Sequence, residues 1–317
     1  MISMKIGYSE KLTRFPQKRR FSLIAWLVTF LLPCFLIACD AQKKEGYSPV
    51  YTSTPNNTQA ILIFGVHPLH TPQRLYEIYG PLVEYLNRNF PEITIRLEAS
   101  RSYDEFDKKL YSRHFHFALP NPYQTLNSLK HGYHIFAKMG DDKQFRGIII
   151  VRKDSNINTV ADLKGKIVSF PAPTALAATM MPLYYLHTHG LDVNQDITRL
   201  FSGSQESSIM NVYLRKSAAG ATWPPPWQSF VERNPKIAAE LEVKWESPPL
   251  LNNGLVARDD VAPEVVDKVK TLLLNLHTHE EGRQLLSALP LVRFENATEA
   301  TYQPVRDFMK KYAETVH

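Results

Sequence analysis

The sequence predicts an α/β protein of mostly parallel sheets covered by helices. Short β-branched runs alternate with amphipathic helical segments at the spacing of βαβ units from residue 60 onward. The run Gly147-Ile148-Ile149-Ile150-Val151 is apolar, β-branched and too short for an ordinary helix, so it reads as a buried strand. A third observation is the turn Pro171-Ala172-Pro173-Thr174, which leads from a second strand at 167–170 into an alanine-rich helix. Pro173 blocks helix on its N-terminal side and the Thr174 hydroxyl is placed to cap. A helix start aimed off the carboxyl end of a buried strand is where open α/β sheets bind ligands, and its unpaired N–H groups favour an anion. Thr174, Ala175, Leu176 and Ala177 are therefore candidate ligand-binding residues.

Taken in order, 61–66 reads as a strand and 72–89 as a helix with Leu75, Ile78, Tyr79, Leu82, Val83 and Leu86 on one face, bent at Gly80-Pro81. A strand at 93–98, a helix at 104–112, a strand at 114–119 and a helix at 123–130 follow. Residues 160–165 make one or two helical turns between the strands at 147–151 and 167–170. Next come strands at 197–202 and 218–222 around a helix ending near Arg215. Trp223-Pro224-Pro225-Pro226-Trp227 reads as an extended frame without internal hydrogen bonds that holds two indoles just past a strand end. Trp223 either walls a ligand pocket or buries in a rigid corner, and Trp227 lies one step farther toward the next helix. A strand at 242–247, a return segment at 253–257 and helices at 263–277, 281–289 and 298–314 complete the chain; the terminal helices read as scaffold.

Ahead of the fold, basic residues precede an apolar run at 21–38 interrupted by Pro33, and Leu36-Ile37-Ala38-Cys39 has the form of a lipobox. This reads as a cleaved lipoprotein signal at 1–38 with lipidation at Cys39, because the run is barely long enough for the alternative, a permanent anchor helix. Removing it takes away six positive charges and one negative, so the formal net charge falls from +6 to +1. The basic balance belongs to the leader and gives no argument for nucleic acid. Both cysteines, Cys34 and Cys39, lie at or before the lipidation point, so the folded part has no disulfide and no thiol chemistry. Residues 39–59 are polar, Pro- and Thr-rich and aperiodic, a flexible tether.

The segment FRGIIIVRKDSNINTVADLKGKIVSF at 145–170 resembles the start of the second lobe in substrate-binding proteins of phosphate/phosphite/phosphonate-type ABC importers. FGVHPLHTPQRLYEIYGPLVEYL at 64–86 is similar to the family's opening strand and helix, and FALPNPYQTL at 117–126 to its strand-end loop. The resemblance implies a two-lobe periplasmic binding protein of type II, with 60–145 and 253–317 as lobe 1 and 146–252 as lobe 2. Two hinge crossings fall near 139–146 and 248–253, and the lobes close around solute. It implies a ligand-facing Tyr123, which otherwise packs under its loop. Ser204-Gln205-Glu206 matches the family's Ser-His-acid motif with Gln for His, which marks Ser204 and Glu206; an acidic residue in a first helical turn is otherwise explained by the dipole alone. The hydroxyl-rich turn by which the family wraps phosphoryl oxygens reads here Thr174-Ala175-Leu176-Ala177-Ala178, so the pocket is more apolar. The implied partners are a small solute, an ABC permease and, through Cys39, the periplasmic face of the inner membrane. The implied state is a monomer without cofactor.

Metal binding and catalysis are disfavoured. His114/His116, His187/His189 and His277/His279 are pairs without thiolate partners, whereas a transition metal takes three or four convergent ligands. No Walker lysine loop, Rossmann glycine triplet or Gly-x-Ser-x-Gly elbow occurs. The rival expectation is a sensory module of the same fold, closing on ligand beside a membrane signalling protein.

Overall fold

The computed structural model describes residues 60–317; the expected leader at 1–38 and the tether at 39–59 with Cys39 lie outside the described residues. In chain order, β1 (Ala60–Val66), α1 (Pro72–Arg88), β2 (Ile93–Ala99), α2 (Tyr103–Tyr111), β3 (Phe117–Leu119), α3 (Pro122–Ser128) and β4 (Tyr133–Met139) come first. Then follow β5 (Ile148–Arg152), β6 (Lys166–Phe170), α4 (Met181–Thr188), β7 (Ile197–Phe201) and α5 (Gln205–Tyr213). The middle of the chain ends with β8 (Ala219–Thr222), α6 (Pro224–Arg233), α7 (Pro235–Ala238) and β9 (Leu241–Glu246). The chain closes with β10 (Gly254–Arg258), α8 (Pro263–Asn275), α9 (Glu280–Ala288), β11 (Phe294–Asn296) and α10 (Gln303–Thr315).

Two sheets result, ordered β11-β4-β10-β3-β1-β2 and β7-β6-β8-β5-β9, each backed by helices as a two-lobe protein. β1 runs parallel to β2 and β3, and β6 parallel to β7 and β8. β10 runs antiparallel to β3 and β4, and β5 antiparallel to β8 and β9. Each sheet is therefore mixed rather than mostly parallel. The reason is the crossing: a strand that enters a lobe at the cleft must run away from it, against strands that run toward it. Helix α1 shows how the pattern becomes packing, since Leu75, Ile78, Tyr79, Leu82, Val83 and Leu86 are all buried. Each such side chain contributes about 1.5–3 kcal/mol of transfer free energy, an upper value because an unfolded chain already hides some surface.

Four further elements differ from the pattern-based expectation. β4 and β11 were not legible: the alternation of β4 is broken by near-complete burial, and its Lys138 is buried because Asp142 and Glu295 carboxylates lie 2.8 Å from the amino group. His114 and His116 precede β3 instead of lying on it; His114 bonds Glu98 at 3.0 Å and His116 Nδ1 accepts from the Ile63 N–H. Trp223-Pro-Pro-Pro-Trp is not an extended frame but the start of α6, with Trp223 as its first cap residue. Prolines suit that position, because the first helical N–H groups have no intrahelical acceptor and Pro supplies the helical φ without one.

The crossings at 140–147 and 247–253 run side by side. Gly147 N–H donates to the Ser247 hydroxyl at 2.9 Å, Ser247 N–H to the Gly147 carbonyl at 2.8 Å, and Leu250 N–H to the Phe145 carbonyl at 2.8 Å. Gly147 is required here, because a Cβ would stand 2.6 Å from the Ala177 carbonyl and from Pro182. The tail makes a third crossing, contrary to an assignment of all of 253–317 to the first lobe. Tyr312 packs on the cores of both sheets, and Val316 is buried in the second. The Thr315 carbonyl accepts from Asn194 at 3.1 Å and the His317 carbonyl from Arg199 at 3.0 Å. Among the described residues no helix is long and apolar enough to cross a membrane.

Candidate functional site: a closed cleft between the sheets

The carboxyl ends of the strands of both sheets meet at a small cavity of about 10 Å³. From the first sheet come His67, just past β1, Tyr103 at the start of α2, and Asn121 before α3; Phe145 and Asn253 come from the crossings; Ala175 to Ala178, Gln205 and Trp223 come from the second sheet. A cavity of that size holds one water and no phosphorus oxyanion, whose phosphorus carries three oxygens and a fourth oxygen, carbon or hydrogen. Two residues close it: Leu176 is fully buried, and the Trp223 indole lies 5.4 Å from the Phe145 ring at 59°.

Local chemistry fixes each wall. Asn121 is a helix cap whose Oδ1 accepts from Gln124 N–H at 3.1 Å, while Gln124 Oε1 accepts from Asn121 N–H at 3.0 Å. This reciprocal box locks the Asn121 side chain, and its Nδ2 donates across the cleft to the Thr174 carbonyl at 2.8 Å. Gln124 Nε2 in turn donates to Asp107 at 2.6 Å. Burial pushes the Asp107 carboxyl above its ordinary pKa, opposed by hydrogen bonds from Gln124 and the Thr174 hydroxyl. A second bridge runs from Gln205 Nε2 to the Tyr103 hydroxyl at 3.0 Å, while Gln205 Oε1 accepts from the Thr222 hydroxyl at 2.7 Å. Burial drives the Tyr103 phenol far above its usual range.

His67 Nδ1–H donates to the Leu119 carbonyl at 2.8 Å, which fixes the tautomer. Burial among the Tyr103 and Phe106 rings depresses its pKa to about 4, so the imidazole is neutral at pH 7. No lysine or arginine lines this cavity. Its donors and acceptors are neutral amides, a phenol, an imidazole and the N–H groups at the helix start. Asn253 Oδ1, buried at the cavity wall, has no hydrogen-bond partner among the described residues.

The sequence candidates divide. Ala175, Leu176, Ala177 and Trp223 line the cavity. Thr174 contributes its carbonyl and a contact to Asp107 but does not cap: the helix opens with a π turn, Leu176–Met180, behind Ala175 and without a side-chain cap. The wide turn lets Leu176 drop into the cleft. Tyr123 is half-buried and packs on the first core, the packing alternative to a cleft-facing ring. Ser204 is the cap of α5, accepting from Ser207 N–H at 3.1 Å. Glu206 pairs with Arg233 at 3.2 Å on the rim, beside His70 and Arg74, not in the cavity. Trp227 stacks on Phe230 at 6.0 Å within the second lobe. Sequence reasoning missed His67, Tyr103, Asn121, Gln205 and Asn253. Only Asn121 carried a local signal, the Asn-x-x-Gln spacing of a capping box.

Residues 64–302 match the family model described as the periplasmic substrate-binding protein of phosphonate ABC transporters. The chain belongs to that family. It is 25% identical over 201 residues to a probable ABC transporter phosphite binding protein of Prochlorococcus marinus, which covers 59% of this chain and 66% of the relative. Identity to the phosphonates-binding periplasmic protein of Escherichia coli is 23% over 163 residues, 50% of this chain and 48% of that one. The chain thus spans less than two thirds of the length of the curated relatives it matches. In fold it resembles a binding protein component of an ABC phosphonate transporter from Pseudomonas aeruginosa, with TM-score 0.75, 18% identity, 81% of this chain and 88% of the other covered. It also resembles the Prochlorococcus marinus protein solved with methylphosphonate, with TM-score 0.74, 19% identity and coverages of 81% and 99%. In this family member the cleft is lined by neutral side chains, and residues 175–178 carry no hydroxyl.

Proposed function

We propose that this phosphonate-type binding protein is the solute-binding component of an ABC importer, tethered by a lipid on Cys39 to the periplasmic face of the inner membrane. It works as a monomer without cofactor and performs no catalysis. The observation that carries this reading is convergence: side chains of both sheets and of both crossings meet at one point beside the helix start that follows Ala175. The lobes swing apart on the crossings, and the bound species replaces the cross-lobe bonds of Tyr103, Asn121, Thr174 and Gln205. A small oxyanion, phosphorus-containing first, suits the N–H groups of the helix start and the neutral donors around it. Ala175, Leu176, Ala177 and Trp223 are the contacts assigned to it, with Tyr123, Ser204 and Glu206 supporting the loops and rim.

Calorimetric titration with phosphate, phosphite, methylphosphonate, an alkylsulfonate and a small carboxylate tests this. The expected result is one-to-one binding of one of them, weakened about tenfold or more by Asn121→Leu or Gln205→Leu. Absence of binding by every compound, or indifference to both substitutions, would sink it.

A sensory module is the second reading, favoured by the direct bonding of the lobes around a space for one water. In that case a membrane partner reads the lobe angle. Solute uptake by membranes carrying the protein and its permease separates the two readings.

A further inference from the structure

At the far end of the second sheet lies a second pocket, of about 310 Å³, lined by Arg152, Ser155, Lys166, Ile167, Arg215, Lys216, Ser217 and Ala218. It sits where β5 ends and β6 and β8 begin, with Val151 facing Ala219 and Val168 facing Ala219 in the register. The cleft lies at the opposite ends of β6 and β8, so the two sites are a strand length apart, roughly 16 Å. We propose that this pocket binds a phosphate oxyanion independently of the cleft.

Charge is the first argument. Four cationic side chains line the pocket, and the carboxylates that face them are Asp154 and Glu240, with Asp162 near Lys166. Asp154 and Glu240 hold Arg152 at 2.8 and 2.5 Å, and Asp154 also holds Arg215 at 2.6 Å. The two guanidinium groups are thereby fixed in place. Lys166 and Lys216 form no ion pair among the described residues and are exposed, so their ammonium groups remain to meet an anion.

The second argument is an orphaned donor. Ser217 is 6% exposed, lines the pocket, and its hydroxyl has no hydrogen-bond partner among the described residues. A buried hydroxyl without a partner costs free energy that a phosphate oxygen would recover. Phosphate matches the set better than a carboxylate, because it offers three or four acceptors to two ammonium groups and one hydroxyl. Ile167 is 41% exposed in the pocket wall and Leu214 is 50% exposed beside Arg215, an apolar border suited to the acyl region just beneath a phospholipid headgroup. The same oxyanion can come from a membrane phospholipid or from free phosphate.

The mature chain from residue 39, carrying Cys39→Ser so that neither leader nor acyl group contributes, is tested in two arms at fixed ionic strength. One arm measures the rise in melting temperature with inorganic phosphate; the other measures co-sedimentation with phosphatidylglycerol vesicles against phosphatidylcholine vesicles. A response to phosphate alone assigns a soluble source, and one to phosphatidylglycerol but not phosphatidylcholine assigns the lipid. In the responding arm, Ser217→Ala and the exposed-site variant Lys216→Ala should each weaken binding about tenfold, and added salt should weaken it further. In a Gln205→Leu background, where the cleft contributes little, the losses caused by Lys216→Ala and Ser217→Ala should persist in full. No response in either arm, or a response that Gln205→Leu removes while Lys216→Ala and Ser217→Ala do not, would overturn the proposal.

Discussion

Replacing Tyr103 by Phe removes one hydroxyl, and the geometry indicates how far that shifts the lobes. In the closed form the hydroxyl accepts from Gln205 Nε2 at 3.0 Å in a place without solvent. Phe fills the ring volume, so packing against His67 is preserved and the loss is electrostatic. The amide left behind is a buried donor without partner only while the lobes are shut; on opening, water takes it. A buried unpaired group of this kind costs about 1–3 kcal/mol, which moves the closed-to-open ratio toward open by roughly 5- to 150-fold. Dye pairs at Lys108→Cys and Lys164→Cys, whose side chains are 75% and 73% exposed, report the separation by energy transfer. Labelling is specific because the folded part contains no cysteine. The expected result is a longer mean distance in Tyr103→Phe and in Gln205→Leu, with the double variant far from additive because both remove one bond. Identical distance distributions in wild type and both single variants would show that the Tyr103–Gln205 bridge does not hold the cleft shut.

His67 has an ordinary value of 6.5 and a folded value of about 4, so between those pH values the unfolded chain binds the proton and the native chain does not. Stability conferred by the neutral ring is therefore complete above pH 6.5 and falls as pH drops, by about 3 kcal/mol at pH 4; urea melts at pH 7 and 4.5 should show this, and His67→Gln should flatten it. Half-buried His70, lowered to about 3 by desolvation and by Arg74 and Arg233, adds with the same sign. Gly147→Ala should cost about 1–3 kcal/mol in urea unfolding, since its Cβ meets the Ala177 carbonyl at 2.6 Å. Val316→Ala should cost about 2 kcal/mol, as the side chain is buried in the second core, and should speed amide exchange in α10. An unchanged melting curve for Val316→Ala would mean that the tail does not fasten the lobes.

How much was legible depended on whether the signal was local. The strand at Ile148 to Val151, the amphipathic face of α1 and the caps at Ser204 and Asn121 lie in short windows of sequence, where period and side-chain type decide the backbone. β4 was hidden because Lys138 reads as exposed until Asp142 and the distant Glu295 close around it. The proline triplet suggested extension because prolines disfavour helix interiors; a first turn imposes no such penalty. The Ser-Gln-Glu segment pointed to Glu206, yet Glu206 sits at the rim with Arg233 while its neighbour Gln205 turns inward to Tyr103 and Thr222. Successive residues of a helix face different directions, so a motif match of three residues leaves open which one reaches the cleft.

By itself the sequence determined the alternation of strands and helices and the absence of hydroxyls at residues 175–178, because each is written in neighbouring residues. Only the tertiary structure decided that the cleft is shut by Leu176, Trp223 and Phe145, that Tyr103 and Asn121 reach across it, and that the tail binds the lobes a third time. Those contacts join residues 53 to 121 positions apart, and a contact between distant residues is set by how whole elements pack, which no local pattern encodes.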